Sequence, residues 1–317
     1  MGLRKYSAFD NRISSHDTIA NVISRLSPKG FQACFGSWTP GGGGSHRRRG
    51  YRGGRPVRAR LPGSVAGSSC PAPGDAWAGG NRRVLGQEAT AEISNEITAI
   101  PKLLELLEPK GCLITIDARG CQQAIATQIR AQGGDDVLGL QGNQSALPTS
   151  VEGFFAVAMA GDFAGVAHDD HEEIDQDHGH LEVRRYWISE DLRTLPDHAL
   201  WARLRSIGLV ERRCTLEGTA TVKRRYFLNA IPAQAKTFAY AVRSHWGVEN
   251  RLHGRRDVVF AEDASRIRKG NAPAIVTSIR HLGMNLFEQE ASNLRFAQKR
   301  RKVAWNDDYR AKVVFGG

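Results

Sequence analysis

Residues 84–122, "VLGQEATAEISNEITAIPKLLELLEPKGCLITIDARGCQ", decide the fold. They begin as a strand. "TAIPKLLELL" (98–107) then reads as a helix with its leucines on one face and Pro101 in the first turn, where a missing N–H is tolerated. "GCLITIDARG" (111–120) holds an uninterrupted apolar run of the kind found in a strand covered on both faces of a sheet. That run ends on Asp117. Open α/β sheets bind ligands at the carboxyl ends of their strands, so a carboxylate there is a candidate site residue.

Outward from this stretch, "CQQAIATQIRAQGG" (121–134) reads as a helix stopped by Gly133 and Gly134, and "DVLGLQGNQ" (136–144) as another strand. Upstream, "AWAGGNRRVLGQEATAEI" (76–93) reads as a pair of strands. Alternation of strand and helix predicts an α/β core. Between about 150 and 235, "HLEVRRYWIS" and "GTATVKRRYFLNAI" alternate like antiparallel strands, which predicts a β-rich insertion. After Pro232 the pattern is helical over about 236–254 and again after a basic turn, "RIRKGNAP" (266–273), with Asn271 as the expected cap. The amino-terminal "HDTIANVISRL" (16–26) predicts an amphipathic helix capped by Asp17 or Thr18, within a helical remnant over 1–40.

Composition narrows the function. The chain has 317 residues, 41% of them hydrophobic, which is enough to fill a core. Its formal net charge of +11 suits a polyanionic partner, most simply nucleic acid. No apolar run reaches 18 residues and the amino terminus has no apolar leader, so a cytoplasmic protein with no membrane partner is expected. Cys34, Cys70, Cys112, Cys121 and Cys214 form no C-x-x-C pair and read as reduced thiols, and Cys112 and Cys121, which flank the Asp117 strand, read as packing residues.

Residues 41–75 break the pattern. Gly, Arg, Pro and Ser dominate, and no Asp or Glu occurs between Asp17 and Asp75. Such a segment buries too little apolar surface to offset its ordering entropy, so disorder is expected. Arg/Gly-rich segments also bind nucleic acid through phosphate charge.

On the helix of 236–254, His245, Glu249 and His253 recur every four residues and share a face with Leu252. For that helix alone, a salt bridge from Glu249 to Arg243 or Arg256 is the simpler reading. "HDDHEEIDQDHGH" (168–180) mixes His168, His171, His178 and His180 with acids, but its spacing fits no tight zinc pattern and a solvated acidic loop is expected. A strand-end Asp, a β-rich insertion, a helix-borne Glu and a basic segment follow one another in the order used by two-metal nucleotidyl transferases.

"SNEITAIPKLLELL", "GCLITIDARGCQ", "GNQ", "HGHLEVRRYW", "SIGLVE", "HWGVENRLH" and "EDASRIRKGNAP" together resemble the H-repeat-associated family of bacterial insertion-sequence transposases, over roughly 76–315. The resemblance implies an RNase H-like α/β fold over 76–317: a mixed sheet flanked by helices, with the β-rich insertion preceding the last catalytic helix. It implies metal-dependent DNA cleavage and strand transfer at transposon ends, with Asp117 and Glu249 as the second and third carboxylates holding Mg²⁺ or Mn²⁺. His245, Trp246, Gly247 and Asn250 match the signature around that glutamate, and His253 and Asn143 fall in supporting positions. Arg266, Arg268 and Lys269 are implied to contact DNA phosphates. The implied partners are transposon-end and target DNA, with homo-oligomerisation on it, in a bacterial, nucleoid-associated setting.

The chain departs from the family at Gln141, where lysine is usual, and at Gly254, where tryptophan is usual. A larger departure concerns the first aspartate. The family places it on the opening strand, some twenty residues before the block matching Ala76–Ala78; here that region is the Arg/Gly-rich segment. A one-base offset in the coding DNA explains together the compositional break, the lost carboxylate and the resumption of the family pattern at Ala76. With the opening strand and its aspartate lost, little or no strand transfer is expected. The alternative function is that of a non-catalytic, DNA-binding transposase remnant.

Overall fold

The computed structural model describes residues 15–31, 34, 58–61, 74–78, 83–88, 96–106, 109–141, 146–177, 180–216, 219–248, 258–262 and 264–315. Nine strands form one mixed sheet: β1 (Arg58–Leu61), β2 (Gly74–Ala78), β3 (Arg83–Glu88), β4 (Leu113–Ile116), β5 (Asp135–Leu140), β6 (His168–Asp177), β7 (His180–Ser189), β8 (Ser206–Leu216) and β9 (Thr219–Asn229). Their spatial order is β3-β2-β1-β4-β5-β9-β8-β7-β6. β1, β4 and β5 run parallel, as buried strands joined by helical crossovers do. The antiparallel meander β6–β9 joins this core through β9, which pairs with β5. The chain has an RNase H-like fold extended by a β-rich insertion.

Among the described residues, the helices beside the sheet include α1 (His16–Arg25), α2 (Glu96–Leu106), α3 (Gln123–Ala131), α4 (Leu147–Ala160), α5 (Ala235–Val248), α6 (Ala272–Gln289), α7 (Phe296–Trp305) and α8 (Asp307–Phe315). Period-two alternation divides the core between the two sheet faces. Ile114, Ile116, Leu138, Leu209 and Leu228 pack under Leu103 and Leu104 of α2, Ile125 and Ile129 of α3, and Val151 and Phe155 of α4. Leu113, Val137, Val210 and Phe227 face the other way, against Phe238, Ala239 and Val242 of α5.

Several boundaries differ from the sequence reading. The expected disorder over 41–75 does not hold for Arg58–Leu61 or for Gly74 and Asp75, which are strand residues, so an opening strand is present rather than lost. The reason is topological: backbone edges of β2 and β4 need ladder partners, and ladder bonds are made by main-chain atoms whatever the side chains. The stretch from 147 to 160 is helical, so the insertion's first strand begins only at His168. The acidic "loop" of 168–180 is instead β6 with the start of β7, its Glu172 and Asp175 paired with Arg185 and Arg184 of β7. Pro101 lies inside α2, five residues after Glu96, rather than in its first turn. Ser15, not Asp17 or Thr18, caps α1 by accepting from the Thr18 N–H. Asn271 precedes α6 without a side-chain cap; its Nδ2 donates to the Leu26 carbonyl, and its N–H donates to the Ser24 carbonyl.

Two buried carboxylates mark the two ends of the chain's electrostatics. Asp136, buried at the start of β5, has its pKa pushed up to about 7 by burial, which outweighs the attraction of Arg130 and is reinforced by Asp135. Glu290, beyond α6, is also buried. Burial opposes its charge, but hydrogen bonds from Ser292, Tyr309 and Lys299 prevail and bring its pKa to about 2. This cluster ties α7 and α8 to the end of α6, together with the Phe287–Tyr309–Val313 apolar group.

Candidate active site

Asp117 follows the last residue of β4 directly. Its Oδ1 accepts hydrogen bonds from the N–H groups of Arg119 (3.2 Å) and Gly120 (3.3 Å), so the carboxylate caps a single 3₁₀ turn, Ala118–Gly120. Two glycines shape this turn. A Cβ on Gly120 would lie 2.5 Å from Ile116 Cγ2 and 2.6 Å from Ile100 Cδ1, and a Cβ on Gly139 of β5 would lie 3.1 Å from Ala118 N. The chain therefore closes on itself after Asp117 at two points: at Gly120 a Cβ would force Ile116 or Ile100 to move, and at Gly139 it would press on the Ala118 backbone. Cys121, just beyond, is buried, and its thiol is pushed up to about 12 by burial and by the nearby Asp136 and Asp117 charges. It is a packing residue, not a nucleophile.

The helix α5, which precedes Glu249, lies on the sheet face opposite α2–α4 and runs from the far edge of the insertion, β6, to β4. At its start, the Ala235 N–H donates to Asp169 Oδ2 of β6 (2.7 Å), a carboxylate at the favourable positive end of a helix. One turn on, the Phe238 ring fills the space that a side chain at Gly208 would occupy, 2.5 Å from the Cβ position, and meets Phe227 edge-on at 5.3 Å. Near its end, His245 Nδ1 lies 3.1 Å from Thr115 Oγ1, both buried. Thr115 and Asp117 are two residues apart on β4 and so share a face. The histidine that anchors α5 thus reaches the strand directly before the candidate carboxylate.

Of the site residues expected from sequence, Asp117, His245, Arg266, Arg268 and Lys269 are described in full. Trp246 and Gly247 are in the last turn of α5. Glu249, Asn250, His253 and Asn143 lie outside the described residues. Arg243, the simpler partner considered for Glu249, reaches Glu173 (3.4 Å) and Asp175 (3.8 Å) of β6. In the basic turn, Arg268 Nη1 donates to the Ser265 and Ile267 carbonyls, and Lys269 Nζ donates to Asn21 Oδ1 of α1 at 2.6 Å. Lys269 therefore also holds α1 in place. His168 stacks on Phe163 and His171 on Tyr186, and no group of three or more His, Cys, Asp or Glu able to hold a metal exists among the described residues.

The opening strand bears on the donor set. β1 pairs with β4 in parallel register, Arg60 beside Thr115 and Leu61 beside Ile116. Residues in register share a sheet face, so Arg60 occupies the β1 position on the face of Thr115 and Asp117. Arg58–Leu61, "RARL", contains no carboxylate. Among the described residues no other carboxylate joins Asp117 in a group able to hold a metal, and one carboxylate is too few hard oxygen ligands for a divalent-metal pair.

The order of these elements, with a strand-end aspartate, a β insertion and a helix brought back over the aspartate's strand, agrees with a family model, the transposase DDE domain, which matches residues 76–284. The chain belongs to the DDE transposase family. Its relatives include the protein YbfL of Escherichia coli (strain K12), 35% identical over 330 aligned positions, spanning 99% of this chain and 84% of that protein. The "H repeat-associated putative transposase YhhI" of the same strain is 35% identical over 335 positions, again 99% of this chain and 84% of the relative. A shorter match, 33% identical over 199 positions, joins it to YbfD, another protein named as H repeat-associated. Among the described residues no helix of this DDE transposase is long and apolar enough to cross a membrane.

Thr115, Gly120, Gly139 and Asp169 were missed by sequence reasoning. Thr115 left a signal, since it is the single polar residue in the apolar run "LITI". Asp169 left none, because its partner Ala235 is 66 residues away.

Proposed function

We propose that this chain derives from an insertion-sequence transposase that cuts and joins DNA at transposon ends with Mg²⁺ or Mn²⁺, and that it is impaired in that chemistry. In this reading Asp117 and Glu249 are the two remaining metal-holding carboxylates. A divalent metal supplies charge neutralisation at the attacking and leaving oxygens of phosphodiester chemistry. The chain's own contribution is to hold Asp117 in its capped turn, and to fix α5 on β4 through His245 and Thr115, four residues before Glu249 in the sequence. Arg266, Arg268 and Lys269 would position DNA phosphates, and the cytoplasm is the compartment that fits this role.

The observation that supports the impairment is the opening strand itself: β1, "RARL", pairs in parallel register with β4 and contains no carboxylate. A second reading, a DNA-binding remnant without chemistry, follows from the same observation combined with the +11 charge.

A supercoiled-plasmid nicking assay with Mg²⁺ or Mn²⁺, run beside a salt-dependent DNA-binding titration, tests both. Binding without nicking is expected. Nicking abolished by Asp117→Ala and by Glu249→Ala would show that another ligand replaces the missing one, and would overturn the impairment.

A further inference from the structure

The insertion presents a second feature, distant from Asp117, on the sheet face opposite α5. Its cross-strand register builds rows of four residues, one from each of β6, β7, β8 and β9. The innermost such row is His168–Ser189–Ile207–Leu228, and the row after it, Asp170–Trp187–Leu209–Tyr226, also joins the core packed beneath α4. The next row is Glu172–Arg185–Glu211–Arg224, in which charge alternates strand by strand. Arg185 Nε donates to Glu172 (2.5 Å) and Arg224 Nε donates to Glu211 (2.8 Å). Beyond it lies Ile174–Val183–Arg213–Val222, and Ile174 is 65% and Val222 50% exposed. Leu181, one row further, is 40% exposed. β-Branched residues on one face of four paired strands normally lie under a covering layer.

We infer that this face of β6–β9 is an interface for a second copy of the same chain. The argument is the symmetry of the charge row. Let two copies face each other across a two-fold axis parallel to the strands and midway between β7 and β8. The axis exchanges β7 with β8 and β6 with β9 while keeping every row at its own height. Arg185 then faces Glu211 of the other copy, Glu172 faces Arg224, and Ile174 faces Val222. A row reading minus, plus, minus, plus is complementary to itself under this operation, as an isologous contact requires. An axis perpendicular to the strands keeps each residue over its own strand and sets Glu against Glu. Association through the exposed edge of β6 is opposed by its sequence, "HDDHEEIDQD", whose carboxylates would meet their own copies. The patch is only four strands wide, about 15 Å between its outer strands, which places the contact in the weak, transient class. This inference stands apart from the reading of the Asp117 site.

Ile174 and Val222 lie at the outer strands of one sheet, too far apart for a disulfide within a chain. The test is oxidative cross-linking of the full chain carrying Ile174→Cys, the full chain carrying Val222→Cys, and an equimolar mixture of the two, with the unsubstituted chain as background for its own cysteines. The mixture is expected to give a covalent dimer several-fold above any single preparation, and Glu211→Lys placed in both partners is expected to remove that excess. The double change Arg185→Glu with Glu211→Arg is expected to restore it, because the row stays self-complementary between β7 and β8. No excess in the mixture overturns the interface. Stronger cross-linking of the Ile174→Cys chain with itself overturns the axis and with it the inference.

Discussion

Replacing Asp136 with asparagine should remove a loss of stability that the wild-type chain undergoes between pH 4 and pH 8. Asp136 is buried, its Oδ2 has no hydrogen-bond partner, and its pKa stands at about 7 against an ordinary 3.8. An acid whose proton is held more tightly in the folded chain stabilises fully below its unfolded pKa, and loses that contribution as pH rises through the folded value. The wild-type chain should therefore be most favoured near pH 4, weaken progressively to pH 7, and level off above it. At about 1.4 kcal/mol per tenfold change in proton affinity, the rise from 3.8 to about 7 amounts to roughly 4 kcal/mol as an upper value. Against a typical stability of about 5–15 kcal/mol this is a large share. Asp136→Asn is neutral at every pH, so its stability relative to wild type should climb across the window by about 2–4 kcal/mol. Near pH 4 the variant should equal wild type or fall about 1 kcal/mol below it, the cost of a buried amide without an acceptor. Urea unfolding followed by circular dichroism at pH 4.5, 6.0, 7.0 and 8.0 measures this directly. Parallel stability curves for the two proteins would show that Asp136 ionises normally in the folded chain and refute the burial reasoning.

Further outcomes follow from the same structure. Thr115→Val removes the partner of buried His245 and should cost about 1–3 kcal/mol in denaturant unfolding, with Thr115→Ser recovering most of it; equal losses in both variants would remove the hydrogen bond as the cause. Gly139→Ala, which sets a Cβ 3.1 Å from Ala118 N, should cost about 1–3 kcal/mol and shift the amide resonances of Arg119 and Gly120 in NMR spectra; unchanged resonances would mean the turn gives way elsewhere. Glu290, held near pKa 2, stabilises above about pH 4.5 and loses that contribution as pH falls towards 2, so Glu290→Gln should weaken the chain at pH 7 and flatten the acid limb of its stability curve. Sequencing the coding DNA across codons 38–80 should reveal, in a shifted frame, an aspartate-bearing strand leading into Ala76; its absence from all three frames would make the Arg/Gly-rich segment an authentic insertion.

The α/β core was legible because its signals are local and agree with one another: "LITI" ending on Asp117, two glycines closing α3, and strict alternation in β7 and β9. β6 was missed because its ten residues contain eight that are charged or histidine, and the pairing of Asp175 with Arg184 and of Glu172 with Arg185 appears only once β7 is folded beside them. β1 was missed for a similar reason, since "RARL" has no strand pattern of its own and is fixed by the edges of β2 and β4. At the site, Asp117 and His245 could be singled out from type and spacing. Their connection through Thr115 could not, because 130 residues separate the two hydrogen-bonding side chains. The glycine contacts of Gly120 and Gly139 belong equally to tertiary packing.

The route of α5 has a consequence for how such chains can change. The helix is pinned at one end to Asp169 at the root of the insertion and at the other to Thr115 beside the aspartate. Hairpin tips beyond these roots can gain or lose residues in pairs, one on each strand, without moving either pin. A single residue added between Asp169 and the root of β9 would instead rotate the whole meander by one side-chain position and drag the helix off its strand. Length variation among descendants of this architecture should therefore collect at the tips of β6–β7 and β8–β9, leaving the span between the two pins constant.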